Sequence, residues 1–180
     1  EEQYVLYARH MELGGKRATA RATSNDFLNW TEPTLMTYSD TDSTIPSEHL
    51  YTNQTTPYFR APHIYISLAA RIFFERLVTT GDKEAFATNE GTPRTGTPGD
   101  CSDGVLMTTR SGSHNYDFTF KESLVRPGIG YQNWTTRNNY PAAGVVQTGP
   151  TEMSLYVNRH YEQNSAYLER MTLRIDGFAS

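Results

Sequence analysis

Two stretches, Thr23-Ser24-Asn25-Asp26-Phe27-Leu28-Asn29-Trp30 and Thr109-Arg110-Ser111-Gly112-Ser113-His114-Asn115-Tyr116, read alike: strand end, polar turn, then Asn with an aromatic. Each follows a strand pattern. Arg17 to Thr23 alternates before the first, and Gly104 to Arg110 is strand-like before the second. Repeated units of short strands closed by a turn-and-aromatic signature are the mark of β-propeller blades. The expected fold is therefore all-β: a partial propeller of about three four-stranded antiparallel blades. A β-sandwich is the alternative, because any β protein repeats strand, turn and aromatic to some degree.

The rest of the chain agrees with an all-β reading. Tyr4 to Arg9 reads as a buried strand, and Gly14-Gly15 as a hairpin turn into Arg17 to Thr23. Residues Pro33 to Pro46 are polar and loop-like. Leu50 to Gln54 and His63 to Ala69 are strand patterns, and Arg71 to Leu77 fits either more strand or a short helix. Thr79 to Ser102, rich in Gly, Thr, Pro and Asp, reads as a long loop. Further strands are expected at Tyr116 to Phe120, Pro141 to Gln147, Glu152 to Asn158 and Tyr167 to Ile175. No long segment has helical periodicity. Twelve tyrosines against eight phenylalanines suit half-buried pleated strands.

At 180 residues the chain has room for one domain with a core. Its apolar runs are too short to cross a membrane as helices. The formal net charge is -4 and the basic residues are scattered, which argues against nucleic acid as a partner. The single cysteine, Cys101, permits no internal disulfide and reads as an incidental loop thiol. The cellular compartment is left open. The chain enters a strand pattern at once, as a piece of something longer would.

The densest chemistry lies in Glu48-His49-Leu50-Tyr51-Thr52-Asn53-Gln54-Thr55-Thr56-Pro57-Tyr58-Phe59-Arg60-Ala61-Pro62-His63. Donors and acceptors are packed there between aromatics, and two prolines, Pro57 and Pro62, fix the stretch. A sugar presents hydroxyls at its edge and apolar C–H groups on its faces, so this mixture suits a carbohydrate cleft. His49, Asn53, Gln54, Arg60 and His63 are the candidate binding residues. Asn138-Asn139-Tyr140, before Pro141, forms a second polar-aromatic corner and a candidate cleft wall. His49 and His63 lack a third ligand at a recognisable spacing, so no metal is expected, and no cofactor motif is present. Asn53, Gln54 and Arg60 have another reading, as groups satisfying irregular backbone. Retaining glycosidases need two carboxyl groups roughly 5–5.5 Å apart. Glu48 and Glu152 are the best-placed candidates, though each also reads as a solvated strand-end residue.

Several stretches together resemble the five-bladed propeller glycoside hydrolases of the invertase-like clan, families 32 and 43 and a bacterial family 32-like branch. They are Arg21 to Pro33, Glu48 to His63, Arg126-Pro127-Gly128, Asn138 to Ala142, Glu152 to Tyr156 and Leu173 to Phe178. The resemblance implies a later part of a propeller acting on or binding carbohydrate, with further blades before it and a sandwich after it. It also implies an early nucleophilic Asp, for which no Trp-x-Asn-Asp-Pro run is present. An Arg-Asp-Pro element is absent too, and His10 stands where an acid is expected after Tyr7-Ala8-Arg9. The alternative function is a non-catalytic carbohydrate-binding or assembly module. A piece of a propeller would expose the faces of its end blades, so self-association is expected.

Overall fold

The structure is a computed structural model that describes residues 3–11, 15–74, 101–130, 133–134, 138–161 and 164–178. Those residues contain no helix beyond a single 3-10 position, and three antiparallel sheets follow one another along the chain. The first runs β1 (Tyr4–Met11), β2 (Arg17–Ser24) and β3 (Thr34–Leu35) in order. Between the first sheet and the second lies a short parallel pair, β4 (Thr37–Tyr38) with β9 (Asn115–Tyr116). The second sheet has β5 (His49–Leu50) and β6 (Thr55–Tyr58) along one edge of β7 (Ala61–Phe73). It continues through β8 (Cys101–Arg110) to β10 (Ser123–Val125). In the third, β11 (Tyr140–Pro141) and β12 (Val146–Gln147) share an edge of β13 (Glu152–Arg159), and β14 (Tyr167–Arg174) lies on the other edge.

The second and third sheets share one device. Their first strand is interrupted, at 51–54 and at 142–145, and resumes against the same neighbour. Positive backbone φ occurs at both breaks, at Gln54 (49°) and Gly144 (75°). The breaks also meet: a Cβ on Gly144 would lie 3.2 Å from the Thr56 hydroxyl.

β7 explains how the sheets stack. From Tyr65 to Ile72 every residue is buried, because both faces of the middle sheet are covered. Ala69 packs with Val105, Met107, Ala18, Met36, Tyr38, Leu50, Tyr116 and Phe118 between the first and second sheets. Leu68 packs with Val125, Leu155 and Val157, and Ile66 with Tyr58 and Met153, between the second and third. Burying several such side chains, at roughly 1.5–3 kcal/mol each, ties each sheet to the next.

Several local expectations change. The Pro33 to Pro46 stretch is not simply a loop, since it supplies β3, β4 and the fully buried Met36 and Tyr38. β1 is not buried: Tyr4 and Leu6 are 52% and 45% exposed, because among the described residues β1 pairs with β2 alone. Tyr116 to Phe120 shortens to Asn115–Tyr116, and Ser123–Val125 is an additional strand. Arg71 continues β7, which runs to Phe73. Cys101 opens β8 and is 2% exposed, so it is no loop thiol. One of the three sheets reaches the expected four-strand depth, as β5/β6, β7, β8 and β10; the others are shallower. Gly14 and most of the expected Thr79 to Ser102 loop lie outside the described residues.

Candidate functional site

The first edges of the three sheets converge on an open hollow of about 610 Å³. β1 lines it with Val5, Leu6, Tyr7 and Arg9, the break in the second sheet and the start of β6 with Tyr51 to Thr56, and the break in the third with Ala143. Its size falls in the range of small-ligand sites, about 300–1,000 Å³. No aspartate or glutamate is among these lining residues.

The local fold fixes this wall from behind. The Asn53 side-chain oxygen accepts the Thr55 N–H at 3.1 Å, an Asx-type turn at the break. The Asn53 carbonyl accepts the Ser67 hydroxyl, and the Thr52 hydroxyl accepts the Ala70 N–H. The Thr55 hydroxyl and the buried Tyr116 hydroxyl lie 2.6 Å apart. Burial, more than any other influence, raises the Tyr116 pKa well above the ordinary phenol value, so it stays a neutral partner. Gln54 sits in the left-handed region, where a non-glycine residue costs about 1–2 kcal/mol. Backbone strain of that kind concentrates at ligand clamps.

Tyr51 anchors the hollow's end. Its ring stacks on Tyr140 at 5.5 Å, and Tyr140 stacks on Tyr161 at 6.3 Å. The guanidinium carbons of Arg9 and Arg17 lie 5.3 and 5.2 Å from the same Tyr51 ring centre. Arg17 also approaches Phe74, whose ring meets the His49 imidazole edge-on at 4.8 Å.

The other expected residues go to different places. Glu48 is bound to Arg71 at 2.7 Å. Arg71 in turn grips Asp103 with two donors, at 2.9 and 2.6 Å, and also donates to the Lys121 carbonyl. Glu152 is held by Arg170 and the Thr148 hydroxyl at the other end of the third sheet's own pairing. The two carboxylates thus belong to separate ion networks. Arg60 pairs with Asp176, which also accepts the Tyr58 hydroxyl at 2.6 Å, and it lines a second hollow with Gln147, Thr151 and Arg174. His63 is exposed in β7, and its carbonyl accepts the Ser111 N–H.

Asn138 and Asn139 are fully buried and do not form a cleft wall. The Asn138 side-chain oxygen accepts the His160 and Asn139 N–H groups. The Asn139 amide donates to the carbonyls of Ser102 and Asn133, and its oxygen accepts from Arg159. They bind the second sheet to the third. Tyr140 carries this corner to the Tyr51 stack.

Sequence reasoning missed Arg9, Arg17, Tyr51 and Thr52. Only strand pairing could have brought the first two to the third. A third hollow holds Asp117 and Glu122 beside Phe120 and Phe178. There Asp117 accepts from both the Thr119 N–H and hydroxyl. Among the described residues no group of three or more histidine, cysteine, aspartate or glutamate side chains is arranged to hold a metal, and no helix is long and apolar enough to cross a membrane. Compared with family models, curated proteins and solved structures, the chain matches none.

Proposed function

We propose that this chain is a carbohydrate-recognition domain of the propeller glycoside hydrolase kind, acting through binding. Three meander sheets in succession, two with the same broken first strand and stacked face to face, support a propeller over a sandwich. A sandwich has two sheets enclosing one core, whereas here the middle sheet is covered on both faces. One observation carries the functional reading. The hollow where the sheets' first edges meet is lined by Asn53, Gln54 and three threonines beside Tyr7 and Tyr51, with no carboxylate. Amide and hydroxyl groups match sugar hydroxyls, while the apolar side chains match sugar C–H faces. Hydrolysis needs a facing acid pair, and Glu48 and Glu152 are each committed to an arginine.

The test is thermal unfolding of the purified chain with a panel of oligosaccharides, run beside hydrolysis assays on the same panel and on aryl glycosides. The expected result is stabilisation without turnover. Turnover abolished by Glu152→Gln or Glu48→Gln would establish the enzyme instead. No stabilisation and no turnover would remove carbohydrate as the ligand.

A further inference from the structure

The Tyr51 end of the hollow carries more positive charge than a neutral sugar requires, since Arg9 lines it and Arg17 lies against the same ring. Arg9 on β1 lies opposite Thr19, and Arg17 on β2 lies opposite Met11, so the two arginines are diagonal neighbours on one face. Both guanidinium groups gather at the Tyr51 ring, within 5.3 Å of its centre. Among the described residues neither has a carboxylate partner, whereas the buried Arg71 and Arg159 each have one. Lys16, held on the Pro46 and Ser47 carbonyls, adds a positive charge on the His49 side. Two like charges held together are unfavourable unless something offsets them. The Tyr51 face offsets part of this, at about 0.5–1 kcal/mol for an exposed cation–π contact. The Tyr140 stack fixes that ring in place. The chain as a whole is negative, at -4, so the cationic end is a local feature and not a general bias.

We propose that the hollow recognises an acidic saccharide, a sugar bearing a uronate carboxylate, with Arg9 and Arg17 taking the carboxylate and Asn53 and Gln54 the hydroxyls. This rests on the carbohydrate reading above and narrows it. Arginine suits the task because its planar fork of donors matches a carboxylate. The Gln54 side chain has no described partner, and the Asn53 amide nitrogen has none either, so both are available to a ring hydroxyl. Val5, Leu6 and Ala143 supply the apolar surface for the ring itself.

The experiment measures affinity of the 180-residue chain for trisaccharides of galacturonate, glucuronate and mannuronate. Each is paired with its carboxyl-reduced, neutral counterpart. At least one acidic trisaccharide should bind at least about ten-fold more tightly than its neutral twin, with affinity falling as salt rises. Arg9→Gln and Arg17→Gln should each erase that difference, and Arg9→Lys should restore part of it. Unchanged thermal unfolding without ligand shows that the variants fold; Arg9 is exposed, so its variants test the point even if Arg17→Gln is unstable. Equal binding of acidic and neutral twins, or a preference that survives both glutamine variants, overturns this inference and leaves the carbohydrate reading standing. Binding of neither twin in any pair overturns both.

Discussion

Arg71 is 5% exposed and meets two carboxylates, Asp103 and Glu48, inside the second sheet. Removing a buried charge strands its partner, at a cost of about 3–5 kcal/mol. Arg71→Met should therefore lower the urea-unfolding free energy by about that amount; a loss under 1 kcal/mol would mean that Asp103 finds water or another donor. His49 makes a prediction in pH. Its pKa is lowered by burial first, then by Arg17 and Lys16. The unfolded chain, with an ordinary value of about 6.5, thus binds more protons over the window just below that pH. The contribution of His49 to stability is full above about pH 6.5 and is lost as pH falls. His49→Phe should flatten the decline in unfolding free energy between about pH 6.5 and 5; an unchanged slope would place the titration elsewhere. The sequence marked His49 as chemically placed but as a sugar ligand, because nothing local reveals that Arg17, 32 positions earlier, approaches the same Phe74 ring.

Among elements, β7 and β8 pair over ten residues, from Ile64 with Arg110 to Phe73 with Cys101. Gly104 sits in that ladder where a Cβ would come within 2.9 Å of both the Val125 Cβ and the Pro141 ring. Here the second sheet touches β11 of the third. Gly104→Ala should cost about 1–3 kcal/mol by overpacking, read as a lower midpoint of chemical unfolding with an unchanged slope. A neutral result would show that the β10 and β11 segments give way. Strand existence was legible where apolar residues ran together, as in His63 to Ala69, of which Tyr65 to Ala69 are buried. It was not legible in Thr34–Leu35 and Thr37–Tyr38, which are too short and polar to show a period and are made strands by neighbours far along the chain. The two similar stretches take different local structures. In the first, Asp26 accepts the Leu28 and Asn29 N–H groups, with Trp30 against Phe27. In the second, Ser113 accepts the Asn115 N–H and Tyr116 is fully buried.

At the scale of the whole molecule, three stacked sheets leave β1 with an edge that is unpaired among the described residues, and with Tyr4 and Leu6 exposed. Such an edge is a template for pairing. A second copy of the chain is the expected partner when no saccharide is bound: sedimentation should show concentration-dependent dimers at micromolar concentration, reduced by Tyr4→Lys and by added saccharide, since Val5 to Arg9 also line the hollow. A strictly monomeric protein would remove self-association from the account. The polar lining of the candidate site was legible as a cluster, since Asn53 and Gln54 stand out within their sixteen-residue stretch and both line the hollow. Its charged half was not, because Arg9 and Arg17 look like ordinary strand residues until β1 and β2 bring them over Tyr51.

The hollow at the meeting of the three sheets is where saccharide should bind. Amide chemical-shift mapping by NMR, with the tightest saccharide of the panel added stepwise to saturation, tests it most directly. The shifts should cluster on Val5 to Arg9, Tyr51 to Thr56 and Ala143. Shifts centred on Arg60 and Arg174, or on Asp117 and Glu122, would place the ligand in another hollow and contradict the account.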